Sequence, residues 1–483
     1  MRRTLLLTGA ITLAAATAAS AAPTTPVQIG SAPGLRLTLS EPWTMSKVRP
    51  AGDVNLDGRT DLLISLYRPG SQAAVVVFGG RRTSPVNLNA IGQDGYYILN
   101  VANVVPGDDV NGDGRPDLFE TNVLANGTSF QAVIYGKSTT STIDRRTLTS
   151  AQGAVYDPTR PAPDPWNEDR VGDFNGDGIR DEIRPGSYAF HVAFGTATAP
   201  PSAAGPGFLI RYNGVNTPCK RSPTDPGDVS VLGDVTGDGK DDIGISGTYA
   251  RTSEPRQHKA CVVKGRSATT DVDLSRLAAT GNGFTVFLGE GRLVSTVGAF
   301  ALGAGRIRGA GDVDGNGVAD FAVETLPEAR YVQHGLYVFP GGPRSADIDA
   351  TRAGTPHLRL TTTQTLDEIV ALPDATGDGR GELAIAVKPV EAPPYRASTP
   401  TYIVSGRPLT GTVSLDALGS TAIKVLPTLN TIRQPSSDLF NWRAVQKVGD
   451  IDADGKTDLA IYEATPAGPS QVETLHVLYG ALR

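Results

Sequence analysis

Cysteine, methionine, tryptophan and histidine are all scarce in this chain of 483 residues, which holds two Cys, two Met, three Trp and five His. Two cysteines exclude a disulfide-stapled miniature scaffold and any cage of thiolates, and leave room for one bridge. The histidines, at 191, 258, 334, 357 and 476, are scattered. No G-x-S-x-G elbow, metalloprotease histidine pair or phosphate-binding P-loop accompanies them. Lys and Arg are dispersed and the formal net charge is −6, so no basic footprint for nucleic acid exists. Beyond the first residues, no apolar run approaches the roughly 18 residues that a membrane span needs.

The N-terminus has a different composition. Arg2 and Arg3 precede an apolar stretch over 5–19 and the small-residue triplet Ala19-Ser20-Ala21. That is the form of a secretory signal peptide, so residues 1–21 are expected to direct the chain to the cell exterior or envelope. Residues 22–33 read as a short linker. In an oxidising compartment a lone pair of cysteines is expected to close, here Cys219 with Cys261. Cys261 is placed at the opening of a third strand.

What the chain has in quantity is glycine, 56 residues, and one acidic loop repeated seven times. The pattern is D-x-[DNT]-x-[DN]-G-x-x-[DE]. Its oxygen-bearing positions 1, 3, 5 and 9 are Asp53, Asn55, Asp57 and Asp61; Asp109, Asn111, Asp113 and Asp117; Asp173, Asn175, Asp177 and Asp181; and Asp234, Thr236, Asp238 and Asp242. The last three sets are Asp312, Asp314, Asn316 and Asp320; Asp374, Thr376, Asp378 and Glu382; and Asp450, Asp452, Asp454 and Asp458. Position 6 is glycine throughout, where a tight turn calls for positive φ. Repetition of this kind means one supersecondary unit used seven times.

Side-chain oxygens at alternate positions suit a hard cation. Calcium accepts six to eight oxygens in a flexible cage, whereas magnesium demands a near-ideal octahedron, so calcium is the expected guest, up to seven structural ions. Zinc or copper would call for His or Cys, which no loop contains. An EF-hand opens the same way but closes with Glu at position 12 between helices. Here position 12 is Ile64, Glu120, Arg184, Ile245, Val323, Ile385 or Ile461, and the chain beyond position 9 is strand-like. The loops hold nearly half of the 50 acidic residues, and seven divalent ions would reverse the sign of the net charge.

Each repeat continues with an apolar run ending in glycine, at 75–79, 133–136, 191–195, 261–265, 336–341, 402–406 and 476–480. A further strand candidate follows at 95–99, 207–212, 283–288, 357–361 and 422–426. About four short antiparallel strands per unit match one propeller blade. The last repeat has only two strands after its loop, and residues 34–40 precede the first loop without a repeat of their own. These residues are expected to pair with 476–479 and close the ring.

These features resemble the FG-GAP repeats of the integrin α-subunit N-terminal domain, in their bacterial secreted form. The resemblance covers residues 34–483 and implies an all-β, seven-bladed β-propeller with a calcium loop in each blade. Phe78-Gly79 and Phe194-Gly195 stand after the third strand, while no clean Gly-Ala-Pro follows a loop. The resemblance implies a monomeric binding or adhesion module for an extracellular protein or glycan. A secreted glycosidase or lyase on the same scaffold is the alternative.

Long connections are expected on the face opposite the loops, at 158–167, 213–227, 247–259, 289–309, 388–400 and 428–441, and a ligand is expected there. Trp43, Trp166 and Trp442 lie shortly before loops, and either stack on a sugar or pack between blades. Lys220, Arg221, Arg251, Arg256, His258 and Lys259 form a basic set on the same face.

Overall fold

The computed structural model describes residues 27–28 and 33–480, apart from positions 41, 102, 108, 187, 220, 345 and 376 and a set of connections. These are 124–128, 157–169, 196–204, 213–218, 221–227, 248–255, 292–303, 326–333, 389–400, 418–421, 427–444 and 465–471. The fold is all-β, with one α-helix of four residues, Leu277–Thr280, and a few single 3-10 turns among the described residues.

Seven sheets follow one another along the chain, each with four antiparallel strands as its body. The first sheet shows the plan: Thr44–Gly52, Asp61–Arg68, Ser71–Val77 and Gly95–Leu99 pair in sequence order. In every sheet the acidic loop joins the first strand to the second, and the second strand opens at or just after the position-9 carboxylate. The seventh sheet has Val445–Gly449, Asp458–Ala464 and Val472–Leu478 from the C-terminal end. Its fourth strand is Gly34–Ser40, paired antiparallel from Gly34 with Leu478 to Ser40 with Val472. The expected pairing with 476–479 is thus present and extends over the whole strand.

Several second strands, such as Asp61–Arg68 and Glu382–Lys388, read as near-continuous apolar runs because both of their faces are covered. In the first sheet Leu62 and Ile64 join a cluster with Val448, Ile451 and Leu475 of the seventh sheet. Leu63, pointing the other way, joins Val104, Leu118 and Ile134 of the second sheet. The other clusters join the third sheet to the fourth, the fourth to the fifth, the fifth to the sixth and the sixth to the seventh. The core therefore lies between sheets, as a series of shared layers rather than one centre.

Short parallel strands lace these layers together. The connection between the third and fourth strands of a sheet reaches back to the outer strand of the preceding one. Val86–Asn87 pairs with Gly34–Ser40, Ile143–Asp144 with Gly95–Leu99, and Val272–Asp273 with Gly207–Arg211. Ile348–Asp349 and Thr410–Ser414 do the same for the fourth and fifth sheets. Val27–Gln28, inside the stretch read as a linker, lies parallel to Ala422–Leu426 of the sixth sheet. Covering an outer edge in this way removes a template for unwanted pairing.

The two cysteines are bonded, with Cα atoms 5.9 Å apart across 42 residues of sequence. Cys261 does not open its strand as expected from sequence. It lies within Arg256–Val263, paired with Ile245 and Thr285, and both cysteines are buried between the third and fourth sheets. Arg256, His258 and Lys259 likewise belong to this strand rather than to a loop, because the hairpin pairs out to Lys259 with Gly247 and Arg256 with Gly291.

Candidate metal centres

The first loop shows how the backbone sets its oxygens. Asp53 accepts hydrogen bonds from the N–H groups of Asp57 at 2.9 Å and Gly58 at 2.8 Å, one on each carboxylate oxygen. Asn55 Oδ1 also accepts from Asp57 N, and Asp57 Oδ1 from Arg59 N. Asp61 is held from two sides: Val54 N donates to Oδ2 at 2.9 Å, and Gly79 N donates to Oδ1 at 2.7 Å. Gly58, at φ 84°, makes the turn that brings positions 1 and 5 together. The position-1 clamp recurs on Asp109, Asp173, Asp234, Asp312, Asp374 and Asp450.

Position 9 is the buried end of every loop. Asp61, Asp117, Asp181, Asp242, Asp320, Glu382 and Asp458 have no exposed surface. Loss of water raises the carboxyl of Asp61 from 3.8 to about 7, against the pull of the Gly79 and Val54 N–H groups. Burial likewise raises Asp242 and Asp458 to about 7 and Asp181 and Asp320 to about 6, and pushes Asp117 upward. A desolvated carboxylate beside other carboxylates is a costly arrangement that a bound cation relieves.

From sequence, the glycine that ends the third strand is expected to open a turn. Structurally it is part of the site, because its N–H donates to the position-9 carboxylate. Gly79, Gly136, Gly195, Gly265, Gly341 and Gly480 all do so, at 2.6–2.9 Å. The signal in the sequence was weak, because the gap from carboxylate to glycine varies with the length of the intervening hairpin.

Three loops bring three carboxylates to within 4.8 Å of one another among the described residues: Asp312, Asp314 and Asp320; Asp374, Asp378 and Glu382; Asp450, Asp452 and Asp458. In the first three loops position 3 is Asn, whose Nδ2 instead donates to the position-5 Asp at 3.0–3.3 Å. Thr236 of the fourth loop turns its hydroxyl to Asp242 at 3.3 Å. Thr376 lies outside the described residues. An all-oxygen donor set around a fully buried carboxylate has the chemistry of a hard-cation site. The clusters could hold a metal ion.

Other sequence candidates are placed less fully. Trp43 packs beside the cluster shared by the seventh and first sheets, with the Arg68 guanidinium 4.5 Å from its ring centroid. Trp166, Trp442, Lys220, Arg221 and Arg251 lie outside the described residues. The connections 158–167 and 428–441 do too, as do most of 213–227, 247–259, 289–309 and 388–400. Lys259 approaches the Phe287 ring at 5.9 Å. His476 is buried on its strand, and His191 is half-buried, its pKa lowered by desolvation. No described helix is long and apolar enough to cross a membrane.

No protein-family model and no curated protein matches the chain. Among solved structures, it is similar to an Agrocybe aegerita lectin that recognises non-reducing terminal N-acetylglucosamine. The identity is 14%, the TM-score 0.37, and the overlap covers 83% of this chain and 87% of the lectin. So distant a likeness carries nothing about the ligand of this chain.

Proposed function

We propose that the chain is a secreted FG-GAP-type β-propeller of seven blades, closed by its N-terminal strand, that binds an extracellular protein or glycan and is stabilised by calcium. The observation that carries this reading is the recurrence of one acidic loop at the same hairpin of seven consecutive sheets, each with its position-9 carboxylate buried. Packing of the seventh sheet on the first, and Gly34–Ser40 as its fourth strand, support a closed ring. The disulfide supports an oxidising location.

The ligand is assigned to the end of the blades opposite the calcium loops. Loops from first to second strand occupy one end of each sheet, and the turns from second to third strand lie at the other. The connections at that other end are the ones that vary in length, from the two residues between Arg68 and Ser71 to the long stretch between Leu426 and Val445, and insertions of that kind in a repeat protein mark a binding surface. Calcium then acts on the scaffold and not on the ligand. A glycan array probed with the calcium-loaded protein tests the assignment, with a panel of extracellular matrix proteins as its second arm. Retention of intact sugar or of one matrix protein is expected, and release of cleaved sugar would instead establish the carbohydrate-active enzyme.

A further inference from the structure

The seventh loop alone has carboxylates at both position 3 and position 5, Asp452 and Asp454. In the first three loops the Asn at position 3 supplies an N–H to the position-5 Asp, and in the fifth loop position 5 is itself Asn316. The seventh loop has no such internal donor, and two carboxylates set side by side repel. A donor arrives from another sheet. Arg81, two residues past Gly79 of the first sheet, places Nε 2.7 Å from Asp452 Oδ2 and Nη2 3.9 Å from Asp454 Oδ2. The Asp452 side chain is wholly buried, while that of Arg81 is 67% exposed.

The same seam is held by hydrogen bonds to two backbone carbonyls. Thr60 N donates to the Asp450 carbonyl at 2.9 Å, and Tyr479 Oη donates to the Gly80 carbonyl at 3.0 Å. The position-1 residue of the seventh loop is therefore tied to the first loop, and its positions 3 and 5 to Arg81.

We propose that Arg81 completes the seventh loop from the first sheet, donating to the position-3 carboxylate and setting its charge beside position 5 in the absence of the asparagine amide of the first three loops, so that cation binding there and closure of the seam between the seventh and first sheets are one coupled event. The inference rests on the reading of the loops as cation sites. Arg81 is a positioning residue: it holds Asp452 and Asp454 and touches no ion. Coupling is reciprocal, so an ion in the seventh loop tightens the seam as much as the closed seam tightens the ion.

Hydrogen-exchange mass spectrometry of the full chain across a calcium titration resolves one loop from another. In the wild-type protein, protection of 450–458 and of 79–82 is expected to rise with one shared midpoint. Arg81→Ala should move the midpoint of 450–458 to about tenfold higher calcium, within the usual range of coupling, and leave 312–320 unmoved. Adding Asp452→Asn, which gives the loop its own donor, should restore the midpoint. An unmoved midpoint in Arg81→Ala overturns the proposal, and so does a lower one, which would mean that the guanidinium competes with the ion. Failure of Asp452→Asn to restore it overturns the donor role. Absence of calcium-dependent protection at 312–320 as well as 450–458 would instead remove the cation reading, and this inference with it.

Discussion

Two glycines of the fifth sheet do different work, and a methyl group distinguishes them. Gly317, at φ 84°, has no atom within 4 Å of where a Cβ would stand. Gly341 has no positive φ, but its Cβ would lie 2.1 Å from the Ala319 carbonyl oxygen. Gly317→Ala therefore costs only backbone strain, about 1 kcal/mol. Gly341→Ala must push a backbone carbonyl aside and lengthen the hydrogen bond to Asp320, costing about 3 kcal/mol. Denaturant melts of the two variants should rank them in that order, and equal losses would show that the close approach relaxes freely.

The buried carboxylates of the loops give the metal-free protein a distinctive pH dependence. Asp61, Asp242 and Asp458 titrate near 7 in the fold and Asp181 and Asp320 near 6, against 3.8 when unperturbed. Between pH 3.8 and about 7 the fold thus binds more protons than the unfolded chain, so stability falls as pH rises through that window. In EDTA the melting temperature should drop from pH 5 to pH 7. Calcium in place of the protons should flatten or invert the slope, and a rise with pH in EDTA would contradict the assignment.

At the scale of elements, the N-terminal strand makes the sharpest demand. Leu35, Leu37 and Leu39 are buried between the seventh and first sheets, while Arg36 and Ser40 face outward. Leu37→Ala leaves a cavity at a site with no exposed surface, and should cost about 3 kcal/mol in a chemical melt. Cleavage of residues 1–40 should cost more, because it also removes Val27–Gln28 from the sixth sheet. Unchanged stability after that truncation would exclude the strand from the fold.

This strand was legible in the sequence because its leucines alternate with polar residues. Val27–Gln28 was not, since two residues carry no periodicity, and Gly153–Tyr156 of the second sheet was missed for the same shortness. The loops were legible because their oxygen-bearing side chains recur at fixed offsets within nine residues. Arg81 was not, because its partners are more than 370 residues away and come near only when the seventh sheet packs on the first.

At the scale of the whole molecule, the core is divided among layers between neighbouring sheets, so no single hydrophobic centre holds the fold if a seam opens. Five of the seven loops sit beside such a layer: Val54, Phe174, Val235, Val313 and Ile451, all at position 2, are buried in the shared clusters. Removing cations would therefore loosen many seams together. At about 2 mM free calcium and a dissociation constant of about 0.1 mM, an ion in a loop would add about 1.8 kcal/mol by mass action. Seven such ions would contribute on the order of 12 kcal/mol, comparable to the stability of an ordinary domain. EDTA should lower the melting temperature by well over 10 °C. Calcium should restore it and magnesium should restore little, because magnesium demands a near-ideal octahedron and dehydrates reluctantly. Equal rescue by magnesium would show that charge neutralisation alone suffices, and an unchanged melt would mean that the loops hold the fold without an ion.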